Sequence, residues 1–376
     1  MNVCIAHGGD MGEPSGGTDR VSALSSGLAA RGVDVTLVIP APSGAVPARL
    51  NDVALEHVDG SIPGSIARAF AVMERARTVA RERDAVLQVE HSSLAGIGTL
   101  RDRKGFVLDM HDLAYSRFDH VDTRLAFAAK RAVEWLETRA VNRADRIVVV
   151  SERMGEMLRD RWDVPGEKVT VVPNGYFPET VRAATDTPTV PGRVAFFGTL
   201  HPKVDVRTLV AVARLPEVTD LVVIGDGAQR ERVEQAARSV DALRPTGRLP
   251  DREAFSLLAS ASVAINPQVV SAIQRSSSPV KLFYYAALGR PMVVTPGPSI
   301  VDDLMRRSAA MTACSKDKFA ERVRLALTDK RLAADLATNA AATAREFTWS
   351  ERVGTFSQLY QADEPTTNTT RRTPTS

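Results

Sequence analysis

The sequence predicts an α/β protein made of two doubly wound parallel sheets that face each other across a cleft. Three observations lead there. Short apolar runs alternate with helix-length segments through both halves of the chain. A glycine-rich stretch, residues 7–17, lies between the first apolar run and the first helix, where backbone can approach a ligand. Thr, Pro and Ala without apolar period fill residues 180–192, where one strand–helix series stops and another begins. The expected division is a first domain over 1–180, a linker over 181–192 and a second domain over 193–344. A helix over 345–362, carrying Phe347, Trp349, Phe356 and Tyr360, is expected to pack back on the first domain, followed by a disordered tail over 363–376.

Composition narrows the class. At 376 residues the chain can bury two cores, and 44% hydrophobic with 25% charged residues suits a water-soluble globular protein. A net charge of +3 gives no case for a general nucleic-acid binder. Cys4 and Cys314 form no metal or redox motif, no apolar run reaches spanning length, and the chain enters a strand at once instead of a charged leader. A cytoplasmic setting is expected. Peripheral contact with the inner face of a membrane stays open, through the basic helical segments 68–83 and 124–146.

In order, residues 3–6 read as a buried strand, 18–31 as a helix closed by Gly32, and 35–39 as the next strand. The glycines before that helix lack the spacing of a dinucleotide fingerprint, and the second strand ends in Ile39-Pro40 with no acid for a ribose. A P-loop is absent as well. An Ala- and Arg-rich helix is expected over 63–83, then strands at 85–89 and 106–110. His91 and His111 fall just past those two strands, where an open α/β sheet places ligands. One histidine there would read as structural; two, with Asp112 beside the second, leave structural and functional readings both open. Strands at 146–151 and 168–173 close the first half, the latter at Asn174-Gly175.

The second half repeats the pattern: strands at 193–197, 221–224 and 261–266, with loops at 198–205 and 246–250. Residues 276–295 then carry the chemistry. Ser278 can cap a short helix, Pro279 suits its first position, and Gly289 with Pro291 ends it before a strand at 292–295. Lys281 in the first turn opposes the helix dipole, and no acid lies between Ser276 and Leu288. Hydroxyls, free helix amides and a lysine make a place for an anion such as phosphate. The plain alternative is a Ser-Pro cap with a solvated lysine.

Taken together, an ordered set of motifs resembles the GT-B glycosyltransferases of the large retaining group called group 1 or family four. The set is Gly16-Gly17 before a long helix, residues 144–151 and 172–175, then residues 197–199, 225–227, 247–250 and 278–283. Each is weak alone, but their order covers nearly all of residues 3–360. The resemblance implies two Rossmann-like domains, with a nucleotide-sugar donor held mainly by the second. The acceptor, a glycan, lipid-linked saccharide or small molecule, would be held by the first. It implies that Lys281 and the amides behind Ser278 hold the diphosphate, assisted by Lys203. Gly247 with the Arg248 and Leu249 backbone would meet the base, and Gly16 and Gly17 would approach the diphosphate or sugar. His111 would contact the donor sugar or acceptor, with His91 a second candidate. No Asp-x-Asp motif is present, which fits metal-independent chemistry with no cofactor.

One departure stands out. Ser276 and Tyr284 occupy the positions of the family's glutamate pair, the second of which binds the donor ribose. A tyrosine hydroxyl is expected there as a substitute ribose contact, without a carboxylate's two-oxygen grip. It keeps open a catalytically weak sugar-nucleotide or glycan-binding partner protein; a GT-B-type sugar-nucleotide epimerase is a further alternative from the shared architecture, without a matching carboxylate pair around the sugar site.

Overall fold

The computed structural model describes residues 1–361 apart from 14, 60, 61, 63, 101–104 and 116–122, and not the side chains of 272, 273 and 361. The tail expected over 363–376 lies outside the described residues. The first sheet contains β1 (Asn2–Ala6), β2 (Asp34–Pro40), β3 (Ala54–Val58), β4 (Val86–Glu90), β5 (Val107–Met110), β6 (Arg146–Val149) and β7 (Val169–Val171). The second contains β8 (Arg193–Phe197), β9 (Asp220–Ile224), β10 (Leu243–Gly247), β11 (Val263–Asn266), β12 (Met292–Val294) and β13 (Met311–Thr312). Their orders are β3-β2-β1-β4-β5-β6-β7 and β10-β9-β8-β11-β12-β13, and every pairing is parallel. The chain reverses direction across the sheet between β1 and β4, and again between β8 and β11. Such points open a crevice at the carboxyl ends of the strands, where ligands bind.

Val- and Ile-rich strands suit sheets covered by helices on both faces. Leu37, Ile39, Ile147 and Val149 are fully buried in the first sheet, as are Val222, Val223, Val263 and Ile265 in the second. Helices begin where a hydroxyl or carboxylate can take a free amide. Ser15 accepts from the Thr18 amide to start Gly16–Ala29, Thr123 from Ala126 to start Arg124–Arg143, and Asp205 from Arg207 and Thr208 to start Val206–Ala213. The final helix, Trp349–Gln361, lays Val353, Phe356, Leu359 and Tyr360 into the first sheet's core. There it runs against Gly16–Ala29 so closely that a methyl at Gly27 would sit 2.7 Å from a Val353 methyl.

The chain crosses between sheets at two places that pair with each other. The Tyr176 amide donates to the Phe347 carbonyl at 3.0 Å, and the Trp349 amide to the Tyr176 carbonyl at 3.1 Å. A side chain at Gly175 would strike the Phe347 carbonyl at 2.8 Å. The stretch 181–192, read from sequence as linker, carries more structure than that. The helix Pro178–Arg182 runs into it, Val181 and Ala184 join the second core, and the Val190 amide donates to the Ser260 carbonyl at 2.8 Å. Apolar period is missing there because only a few side chains pack. Among the described residues no helix is long and apolar enough to cross a membrane.

Candidate active site

Three histidines gather at the carboxyl edge of the first sheet. His7 follows β1, His91 follows β4 and His111 follows β5. The His91 and His111 rings meet edge to face at 4.5 Å, and His7 lies 6.2 Å behind His91. His91 takes φ 72°, left-handed backbone that a branched or bulky residue rarely adopts and that costs of order 1–3 kcal/mol. That turn starts the helix Ser92–Gly98 while leaving the His91 ring at the sheet edge.

Charge separates the three rings. His111 Nε2 lies 2.6 Å from Glu90 Oε2 and 3.5 Å from Asp109 Oδ2. Burial opposes a charge on His111, but the Asp109 and Glu90 carboxylates outweigh it and hold its pKa up at about 9. His7 has no such partners; burial, then the neighbouring His91 and His111, drive its pKa down to about 3. His111 is therefore an imidazolium at neutral pH and His7 a neutral ring. His111 Nδ1 has no partner among the described residues, and a methyl at Gly17 would sit 3.9 Å from it and 3.9 Å from His91 Nε2. His111 Nδ1 thus lies beside the glycine loop.

Both carboxylates are held from behind. Arg20 Nε and NH2 donate to the two Asp109 oxygens at 2.8 and 2.9 Å. Asp109 is kept well below the usual carboxylate range: burial works against that, while Arg20 and then His111 lower it. Gln88 Nε2 donates to Glu90 Oε1 at 2.6 Å, and the Tyr360 hydroxyl of the final helix donates to Gln88 Oε1. Among the described residues, the groups able to offer three metal-ligand atoms within 4.8 Å of one another come down to Glu90, Asp109 and His111. A divalent ion there would have to displace the guanidinium on Asp109 and the proton on His111.

The second sheet presents two lysines. Lys281 stands in the first turn of Val280–Ala287, half-buried, its Nζ 4.1 Å from the centre of the Phe196 ring. Burial, then the charge of Lys203, bring its pKa down to about 7. Burial likewise lowers Lys203, and Asp112 of the first half partly offsets it. Gly198, at φ 108°, makes the room: a methyl there would sit 3.3 Å from Lys281 Nζ. The two halves touch at this point, where a methyl at Gly16 would sit 3.5 Å from a Val280 methyl. Gly16, Gly17, His91, His111, Lys203 and Lys281 therefore border one cleft.

The remaining sequence expectations divide. Gly247, at φ 72°, ends β10, and its carbonyl accepts the Gly225 amide at 2.9 Å. Arg248 is exposed, while Leu249 packs on the second core. Ser278 does not cap the helix. Pro279 stands at the cap position, and Ser278 Oγ instead accepts the Asn174 amide at 3.2 Å, a tertiary partner that displaces the local one. Tyr284, expected as a ribose contact, sits in an aromatic cluster. It is 5% exposed, its ring among Phe255, Phe197 and Tyr176 at 4.8, 6.1 and 6.1 Å. Burial and then Asp19 push its hydroxyl pKa up, so it stays neutral.

Comparison with known proteins agrees with this geometry. Residues 14–179 match the family described as Glycosyltransferase Family 4, and residues 191–329 that described as Glycosyl transferases group 1. TuaH of Bacillus subtilis (strain 168), assigned by name as a glycosyltransferase of teichuronic acid biosynthesis, is 26% identical over 201 residues, 51% of this chain and 51% of TuaH. The chain thus aligns with about half the length of that curated relative. Solved structures share the fold. Sucrose-phosphate synthase from Thermosynechococcus elongatus superposes with TM-score 0.78 at 17% identity, covering 96% of this chain and 98% of that one. The lipopolysaccharide glycosyltransferase WaaG gives 0.74 at 16% identity over 96% and 99%. Anabaena Alr3699/HepE in complex with UDP-glucose gives 0.72 at 15% identity over 96% and 100%. Two matching family models in order, over two parallel sheets facing a cleft, show that this chain belongs to the group 1 family of GT-B glycosyltransferases.

Proposed function

We propose that the cleft moves a sugar from a UDP-sugar to a glycan or lipid-linked saccharide acceptor, with retention at the anomeric carbon and without a divalent ion. The observation that carries this reading is the half-buried pair Lys203–Lys281, with Lys281 in the helix that Gly16 approaches and His111 beside Gly17. A leaving diphosphate would meet both lysines and the first amides of Val280–Ala287, which together supply the charge stabilisation a metal ion supplies elsewhere. His111 Nδ1 would donate to the transferring sugar, and Gly17 would leave that sugar space. The choice of UDP rests on HepE, whose structures hold UDP and UDP-glucose.

An exposed face favours membrane contact. On Arg124–Arg143, Leu125, Phe127 and Trp135 are 81%, 68% and 53% exposed, interleaved with Arg124 and Arg131. Apolar side chains beside arginines suit an anionic lipid surface, which would present a lipid-linked acceptor to the first half.

The test is turnover of UDP-glucose by purified protein in excess chelator, with the anomer of the product read by proton NMR. Expected are UDP binding, slow hydrolysis or transfer, and a product of the donor's own anomeric configuration. Binding without turnover would favour the weak sugar-nucleotide-binding protein, and an isomerised sugar nucleotide the epimerase. A requirement for added divalent ion would remove the metal-free mechanism.

A further inference from the structure

Arg20 is wholly buried. Replacing such an ion pair by apolar residues of similar volume is often neutral or stabilising, so stability alone does not call for it. What Arg20 does is join two distant groups. Its Nε and NH2 grip Asp109 at 2.8 and 2.9 Å, and Asp109 Oδ2 lies 3.5 Å from His111 Nε2. Its NH1 donates to the Val172 carbonyl at 2.9 Å and to Asn174 Oδ1 at 3.2 Å. Asn174 Nδ2 donates to the Ser278 carbonyl at 2.8 Å, and the Asn174 amide to Ser278 Oγ at 3.2 Å. A guanidinium only donates and a carbonyl only accepts, so the orientation of the Asn174 amide is fixed from both sides. Ser278 leads directly into the helix that bears Lys281. Asn174 also precedes Gly175 and Tyr176, where the chain crosses between sheets.

We propose that Arg20 and Asn174 are positioning residues that hold the His111 imidazole and the Lys281 helix at one fixed offset, aligning the group at the sugar with the group at the diphosphate. What is aligned rests on the function proposed above; the chain of contacts does not. Reacting groups displaced by about 1 Å can lose roughly a hundredfold in rate, so the link matters to turnover before it matters to binding.

Two variants test it. Asn174→Asp keeps an acceptor for Arg20 but sets a carboxylate against the Ser278 carbonyl; Asn174→Ala removes both contacts. With UDP-glucose, kcat should fall about ten- to a hundredfold in each, while KM and the UDP Kd stay within about threefold. In a His111→Ala background the same substitutions should cost almost nothing, because nothing remains to be positioned. Full additivity with His111→Ala, or equal losses in kcat and UDP affinity, would overturn the proposal. A second measurement needs no donor. In nitrogen-15 spectra of the ligand-free protein labelled at histidine, Asn174→Ala and Arg20→Lys should move the His111 ring signals and leave exposed His57 in place. Unmoved His111 signals sink the linkage. A wild-type protein that ignores UDP and UDP-glucose while its His111 signals follow Asn174 sinks the donor reading and keeps the linkage.

Discussion

The carboxyl edges of the two sheets solve opposite electrostatic problems. On the first, every charge near the cleft is balanced: His111 by Glu90 and Asp109, and Asp109 in turn by Arg20. On the second, burial lowers the pKa of both Lys281 and Lys203, and the charge of Lys203 lowers Lys281 further. The balanced edge is complete before any ligand arrives, which is how a preorganised donor toward a developing charge is built. The unbalanced edge is completed by the ligand itself. An anion that enters there would gain contacts with both lysines, so on the proposed function affinity is expected to concentrate at the lysines and rate at His111.

Removing one member at each edge should break the comparison in two different ways. His111→Ala takes away the cation aimed at the sugar. Turnover should fall roughly a hundred- to a thousandfold, with UDP affinity nearly intact. Equal losses in kcat and UDP Kd, measured by steady-state kinetics and calorimetry, would move His111 to the phosphate side. Lys281→Ala is the converse. UDP binding should weaken by about one to two orders of magnitude, since a charge-assisted bond of roughly 1.5–3 kcal/mol is lost. Uridine, which carries no phosphate, should bind as before. The empty variant should be as stable or more stable, because a partly desolvated ammonium in a helix first turn has been removed.

The same contrast predicts opposite responses to pH. The folded pKa of His111, about 9, lies above that of an unfolded histidine. Its contribution to stability is therefore full below about pH 6.5 and lost as pH rises through 9. The folded pKa of Lys281, about 7, lies below that of an unfolded lysine, so its destabilising charge is relieved as pH rises above 7. UDP should restore that charge. Calorimetry at pH 8, where the UDP phosphates are fully ionised, in buffers of different ionisation enthalpy should show uptake of up to about one proton per UDP. Uptake that persists in Lys281→Ala would place the titrating group elsewhere.

What the sequence disclosed follows the same division. The lysine edge was legible because its signals are local: Lys281 in a helix first turn without acids, and glycines at strand ends. His111 was legible for its place after a strand. Its partners were not, although the trace was there, since Gln88, Glu90 and Asp109 are polar residues inside otherwise apolar strands and Arg20 lies among the buried residues of Gly16–Ala29. Those contacts span 89 residues for Arg20–Asp109 and 104 for Asn174–Ser278, and no local pattern announces a partner so far away. Ser278 misled for that reason: a Ser-Pro pair reads as a cap until Asn174 competes for the hydroxyl. Strand β3 was overlooked because Ala54–Val58 is a half-exposed edge strand carrying Glu56 and His57, with too little apolar period to stand out.

The smallest effect concerns how the balanced half meets its acceptor. Leu125, Phe127 and Trp135 spread over the solvent side of Arg124–Arg143, whose buried side is Ala126, Glu137, Ala140 and Val141. Glu137 spends its carboxylate on Ser92 and on the Ala114 and Tyr115 amides, while outside Arg131 pairs with Glu134 at 3.2 Å. Each arginine near an anionic surface contributes about 1 kcal/mol, and a tryptophan settles at the level of the headgroups. The protein should therefore bind vesicles rich in phosphatidylglycerol and ignore pure phosphatidylcholine. Phe127→Ser with Trp135→Ser should weaken that binding about three- to tenfold, and raised salt should weaken it further in both proteins. UDP affinity should not change, because the lysine edge belongs to the other sheet. Sedimentation of protein with each vesicle type decides it: equal binding to both, or to neither, would leave this face as ordinary surface and direct the search for the acceptor back to the cleft.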